Sequence, residues 1–161
     1  MKLYHGSLEI VKEPEIRKSN RTLDYGTGFY ATTSIEQAES WVKRRMKESR
    51  TNHGYINEYE LDKEKIKELQ FLSFEQPTEE WVDFVMSNRI QLNYEHHYDL
   101  VYGPVANDRV YASFALYESG IIDRRLLISE LKTYKLVDQF LFHTEASLKC
   151  LTFIIAKEVT L

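Results

Sequence analysis

Two glycines one residue apart, Gly26 and Gly28, precede Phe29-Tyr30-Ala31-Thr32 and then a helix-like segment that reaches Trp41. Glycine permits backbone conformations that a Cβ forbids and lets a ligand come close to the main chain. A glycine turn, a short strand bearing Tyr30 and a helix bearing Trp41 would set two aromatic rings beside one backbone cradle. That arrangement suits a flat, polar ligand that carries phosphate. The same residues also suit an ordinary turn with core aromatics, because Gly-x-Gly by itself usually marks a turn. Other combinations offer less. His96-His97-Asp99 is the densest run of metal-ligating residue types, but adjacent residues point different ways and no ligand spacing forms, so no metal is expected. Cys150, beside Leu148 and Leu151, reads as a small buried hydrophobe and not a nucleophile.

The elements that would hold these side chains follow from patterning. Ser34 and Gln37 have capping-box spacing, so a helix is predicted from about Ile35 to Glu48, with Ile35, Ala38, Trp41, Val42 and Met46 at helical intervals. Before it come a short strand at Lys2–His5, turned out by Gly6-Ser7, and an irregular stretch through Pro14 and a polar segment from Arg17 to Thr22. Tyr55 to Leu61 alternates as a strand, and Leu69 to Phe74 suits another. Thr78 is placed to cap a helix over Glu79–Ile90. Tyr98 to Tyr102 suits a strand stopped by Gly103-Pro104, and Asn107 or Asp108 begins a helix that ends near Gly120. Asp123 caps a helix over Arg124–Leu131. The chain then closes with Gln139–His143, a helical turn at Thr144 and an apolar strand from Thr152 to Val159. Strands and helices mix without regular βαβ alternation, which predicts an α+β fold with a largely antiparallel sheet.

At 161 residues, 43% hydrophobic and 29% charged, the chain suits one globular domain over residues 1–161. Its formal charge of −4 argues against broad attraction to nucleic acid or anionic membrane, although Lys43-Arg44-Arg45 is locally basic. No apolar run approaches the ~20 residues a bilayer demands. The first residues lack the apolar core of a signal peptide, and a lone cysteine suits a reducing compartment, so a cytoplasmic location without a membrane partner is expected.

Three separated segments together resemble the ADP-ribosyltransferase superfamily, in its diphtheria-toxin-like and poly-ADP-ribose-polymerase-like branch. Leu3-Tyr4-His5-Gly6-Ser7 resembles the branch's first strand. Gly26-Thr27-Gly28-Phe29-Tyr30 with Ser34 to Trp41 resembles its second motif, and Asp138-Gln139-Phe140-Leu141-Phe142 resembles the strand that normally bears a catalytic glutamate. The middle of the chain, from Trp81 to Gly120, looks more like a small bacterial family of uncharacterised transferase-like domains. The resemblance implies a split, mainly antiparallel sheet with flanking helices. It implies NAD as substrate, no metal, and transfer of a single ADP-ribose to a protein or nucleic-acid target, with a partner or antitoxin protein as a further binding partner. His5, Tyr30 and Gln139 take the catalytic positions. His5, Gly6, Ser7, Gly28, Tyr30 and Trp41 would bind the nucleotide, with His5 on a ribose hydroxyl and Tyr30 and Trp41 against the nicotinamide ring. Arg109, in the loop after the Tyr98–Tyr102 strand, is a further candidate for the diphosphate. Gln139 stands where the family has glutamate. It can orient a hydroxyl but carries no charge, so the alternative is a catalytically weak or inactive NAD- or ADP-ribose-binding module, or a partner-interaction protein, of the same fold.

Overall fold

Five helices begin where a side-chain oxygen accepts a backbone N–H, as the sequence predicts. Ser34 caps α1 (Ile35–Ser49), Thr78 caps α3 (Glu79–Ile90) and Asn107 caps α4 (Asp108–Glu118). Asp123 caps α5 (Arg124–Leu131), and Thr144 with Ser147 forms a reciprocal capping box on α6 (Glu145–Leu148). A short helix α2 (Lys63–Ile66), capped by Asp62, was not foreseen, because four residues are too few to show a period. The computed structural model describes residues 1–18, 23–91 and 93–161, so the end of the predicted polar segment, residues 19–22, lies outside the described residues.

The strands are β1 (Lys2–Ser7), β2 (Phe29–Ala31), β3 (His53–Leu61), β4 (Phe71–Ser73), β5 (Leu100–Pro104), β6 (Asp138–Phe142) and β7 (Leu151–Thr160). They form an α+β fold with two sheets, ordered β1-β3-β7 and β2-β6-β5-β4, in which β4 and β5 pair in parallel and the other strand pairs among the described residues are antiparallel. Most predicted strand bounds shift by one or two residues, and two of these shifts bear on the site. β1 runs on through Gly6 and Ser7, because these residues stay in register with Ile56 and Tyr55 of β3. β5 starts later and includes Gly103 and Pro104, which pair with Gln139 and Asp138. Proline is tolerated there because it lies at the strand end and its carbonyl is the group in use.

The core has three parts. Leu3, Tyr59 and Leu61 of the first sheet meet Phe29, Ala31, Phe140 and Phe142 of the second. On the outer side of the first sheet, Ala38, Val42 and Met46 of α1 pack on Ile56 and Val159. On the outer side of the second, Val101 and Leu141 pack under Trp81, Phe114, Leu127 and Leu131 from α3, α4 and α5. Cys150 is buried in the inter-sheet layer, where burial raises its thiol pKa.

Candidate functional site

Among the described residues the two sheets meet through one main-chain bridge, and the pairing stops beside His5. Tyr4 and Thr32 exchange both bonds, at 2.8 and 2.9 Å. Continued antiparallel pairing would set Gly6 opposite Tyr30. Instead the His5 imidazole takes the Tyr30 carbonyl, with Nδ1 2.6 Å from it. The bonding direction alternates along a paired strand. Odd residues of β1 serve β3, as the bond from the Leu61 amide to the Met1 carbonyl shows. Gly6, like Tyr4, therefore turns its N–H and C=O toward β2. Among the described residues they meet no partner there, although Gly6 is buried. A donor and an acceptor on one residue thus lie open in a wedge between β1 and β2.

A carbonyl can only accept, so His5 Nδ1 carries the proton in that bond. Burial holds the His5 pKa down to about 4, with Arg45 and Arg17 pushing the same way. The ring is neutral at physiological pH, and Nε2 is left as a hydrogen-bond acceptor. Its face lies against Phe29, with ring centroids 4.2 Å apart.

α1 forms the roof of the wedge. A Cβ on Gly6 would collide with the Ala38 carbonyl oxygen and lie 3.0 Å from the Val42 amide nitrogen, so only glycine allows this approach. Trp41 is half-buried on α1, one residue from that contact. Tyr30 projects from β2 toward the layer under α3, and burial drives its phenol pKa well above the ordinary value.

The glycine turn is held by four side chains. The Tyr30 hydroxyl donates to the Gly26 carbonyl at 2.5 Å and accepts from the Tyr25 amide at 3.2 Å. His96 bonds the Tyr25 carbonyl at 2.8 Å, and His143 bonds the Thr27 carbonyl at 2.6 Å. The two imidazoles pack together with centroids 4.2 Å apart. Tyr25 is wholly buried; its hydroxyl accepts from Trp81 Nε1 and donates to the Pro104 carbonyl, both at 2.7 Å. Gly26 has φ of +91°, a region that favours glycine. At Gly28 a Cβ would strike the Phe142 carbonyl, so this glycine serves the fit of the turn on β6.

Gln139 is 5% exposed and projects on the Tyr25 side of β6. Its amide nitrogen faces the Pro104 carbonyl at 3.4 Å, which orients the amide and leaves the carbonyl oxygen without a partner among the described residues. Asp138 points to the opposite face, as alternation along the strand predicts. There it accepts from the Thr33 amide at 2.9 Å and the Thr33 hydroxyl at 2.6 Å.

The Tyr4–Thr32 bridge and the bond from His5 to the Tyr30 carbonyl thus bring His5, Gly6 and Tyr30 together on β1 and β2. Trp41 lies on α1 next to the Gly6 contact, and Gln139 lies on β6, where its side chain meets Pro104 and Tyr25. Ser7 follows on β1, its hydroxyl accepting from the Glu9 amide at 3.3 Å. Arg109 is placed differently: it is exposed on α4, with its guanidinium 4.4 Å from the Tyr134 ring centroid.

Residues 1–153 match a family described as a protein of unknown function, DUF3990. The chain belongs to that family. No curated protein and no solved structure matches it.

Patterning gave no role at the turn to several groups that the DUF3990 chain brings there, although it noted His96 in a run of metal-ligating residue types. Tyr25, His96 and His143 grip the glycine loop, and Asp24 and Tyr111 meet beside it, with the Tyr111 hydroxyl 3.2 Å from both Asp24 carboxylate oxygens. Burial pushes Asp24 up to about 6, opposed by Arg89 and the Tyr111 bond. Asp24 and Tyr25 directly precede the glycine pair, which is the one local signal; the others come from distant segments. A separate cavity of about 600 Å³ is lined by Thr33, Lys63, Lys67, Phe71, Tyr102 and Asp138. It opens on the Asp138 face of β6 and contains none of the predicted site residues. Among the described residues, no three His, Cys, Asp or Glu side chains are grouped to hold a metal ion, and no helix is long and apolar enough to cross a membrane.

Proposed function

We propose that this protein is an NAD-dependent mono-ADP-ribosyltransferase with an ADP-ribosyltransferase-like split sheet, acting on a protein or nucleic-acid target in the cytoplasm. The observation that supports the reading is the Gly6 N–H and C=O, which meet no partner among the described residues. A carboxamide such as that of nicotinamide offers one acceptor and one donor, the complement of that pair. His5 Nε2, an acceptor, suits a ribose hydroxyl beside it. Trp41 and Tyr30 supply aromatic surface for a cationic ring, worth about 1 kcal/mol per ring beyond burial.

The reaction breaks the bond between nicotinamide and ribose, with the electron pair leaving on nicotinamide as positive charge grows on the sugar. The free Gln139 carbonyl oxygen accepts a ribose hydroxyl and orients the sugar, while its dipole supplies part of the stabilisation a carboxylate would give. That neutral amide is also the observation that favours a second reading, a module that binds NAD or ADP-ribose without turnover.

Incubation with NAD and a cell lysate, following nicotinamide release and labelled macromolecule, separates the two. Transfer by the wild type, lost in Gln139→Ala, supports the enzyme. Binding without release, with activity gained only in Gln139→Glu, supports the module. No change in melting temperature at millimolar NAD would remove both, because a ligand specific for the folded state must stabilise it.

A further inference from the structure

Arg89, in the last turn of α3, lies beside the glycine turn with part of its charge unspent. Its guanidinium sits 4.5 Å from the Tyr111 ring centroid and 5.2 Å from that of Phe114. Nη1 is buried and has no hydrogen-bond partner among the described residues. Asp24 is near enough to feel the charge, yet no oxygen of it comes within ion-pair distance of Arg89; its carboxylate is bonded to Tyr111 instead. The neighbouring Asn88, 4% exposed, carries a second orphan. Its amide nitrogen bonds the Phe84 carbonyl at 2.8 Å, while its buried Oδ1, beside Gly26, accepts nothing from the described residues. Buried polar atoms without partners are uncommon, and a missing ligand is one standing explanation.

The surroundings specify the ligand. Arg44 of α1 works on the Tyr111 phenol in the same direction as Arg89, against burial and Asp24, so a second cation accompanies Arg89 here. Asp24 acts in turn on Tyr30, which joins this cluster to the wedge. A guanidinium presents paired donors that match phosphate oxygens, and Asp24 with Asn88 Oδ1 offers acceptors for hydroxyls. We propose that Arg89, with Asp24 and Asn88, forms a binding centre for a sugar phosphate: Arg89 holds the phosphate and the two acceptors hold sugar hydroxyls. The phosphate source is either the diphosphate of the NAD invoked above, so that this assignment rests on that reading, or a phosphate carried by the acceptor.

Calorimetric titration of wild type, Arg89→Met, Arg89→Lys and Asp24→Asn with inorganic pyrophosphate, ADP-ribose, NAD and nicotinamide tests it. Pyrophosphate and ADP-ribose are expected to bind the wild type and to weaken about 10- to 100-fold in Arg89→Met, the range for a charge-assisted bond. Arg89→Lys keeps the charge but loses the fork, so it should fall between them; this variant carries the test if Arg89→Met does not fold. Asp24→Asn should bind pyrophosphate as tightly as wild type or more tightly, and nicotinamide should be indifferent to Arg89. An equal loss for NAD assigns the phosphate to the nucleotide. Arg89-dependent pyrophosphate binding that NAD neither shares nor competes with assigns it to the acceptor. If NAD fails to bind while ADP-ribose binds through Arg89, the transferase reading falls and the phosphate centre stands. A wild type that binds neither pyrophosphate nor ADP-ribose, or Arg89 variants that bind both unchanged, overturns the proposal.

Discussion

Replacing Gly6 with alanine tests the contact that shapes the wedge. The added methyl would press on the Ala38 carbonyl oxygen and lie 3.0 Å from the Val42 amide nitrogen. Both are backbone atoms inside α1, so no rotamer change relieves the clash. The helix must retreat by roughly 1 Å to restore ordinary contact. That retreat loosens Ala38, Val42 and Met46, all fully buried on this face. Overpacking typically costs about 1–3 kcal/mol, and a collision with main chain belongs at the upper end. A loss of about 3 kcal/mol in a domain of this size lowers Tm by roughly 6–12 °C. Scanning calorimetry on Gly6→Ala reads it directly, with Gly120→Ala as the comparison. Gly120 has φ of +79° but no atom within 4 Å of an added Cβ, so only backbone strain of about 1–2 kcal/mol applies there. A Gly6→Ala protein that melts within 2 °C of wild type, about what 1 kcal/mol would shift, would refute the reasoning, because α1 would not be seated on that glycine.

Acid should act through His5. Its folded pKa of about 4 lies below the ordinary 6.5, so the unfolded chain binds the proton more readily, and stability falls as pH drops from 6.5 toward 4. The whole effect is about 3 kcal/mol. Urea unfolding of wild type and His5→Gln across that range should show the difference, and parallel profiles would exclude it. Tyr25→Phe leaves the buried Trp81 N–H and Pro104 carbonyl without the hydroxyl they share. The expected loss is about 2–4 kcal/mol by denaturant titration, and a loss under about 1 kcal/mol would mean that other groups satisfy both.

Much of the local structure was legible in the sequence because its causes are local. A cap needs an oxygen at the right offset from a free N–H, so Ser34, Thr78, Asn107, Asp123 and Thr144 announce their helices without reference to the rest of the chain. Strand alternation likewise put Asp138 and Gln139 on opposite faces. Strand ends were less legible: whether β1 stops at His5 or continues through Ser7 depends on β3 offering partners, and β3 lies some fifty residues away. The residues His5, Gly6, Tyr30, Trp41 and Gln139 could be picked out by resemblance, but their state could not. That the Gly6 N–H and C=O meet no partner among the described residues follows from the parting of β1 and β2 after Tyr4 and Thr32, and from an imidazole taking the carbonyl Gly6 would have used. That Arg89 has a buried nitrogen without a partner among the described residues while Arg109 stacks on Tyr134 depends on how α3, α4 and α5 pack over the second sheet. Sequence determined the residue types and the local elements. Tertiary structure alone decided which polar groups remain unspent, because a hydrogen bond is consumed by whatever lies within about 3 Å, and here those neighbours come from distant parts of the chain.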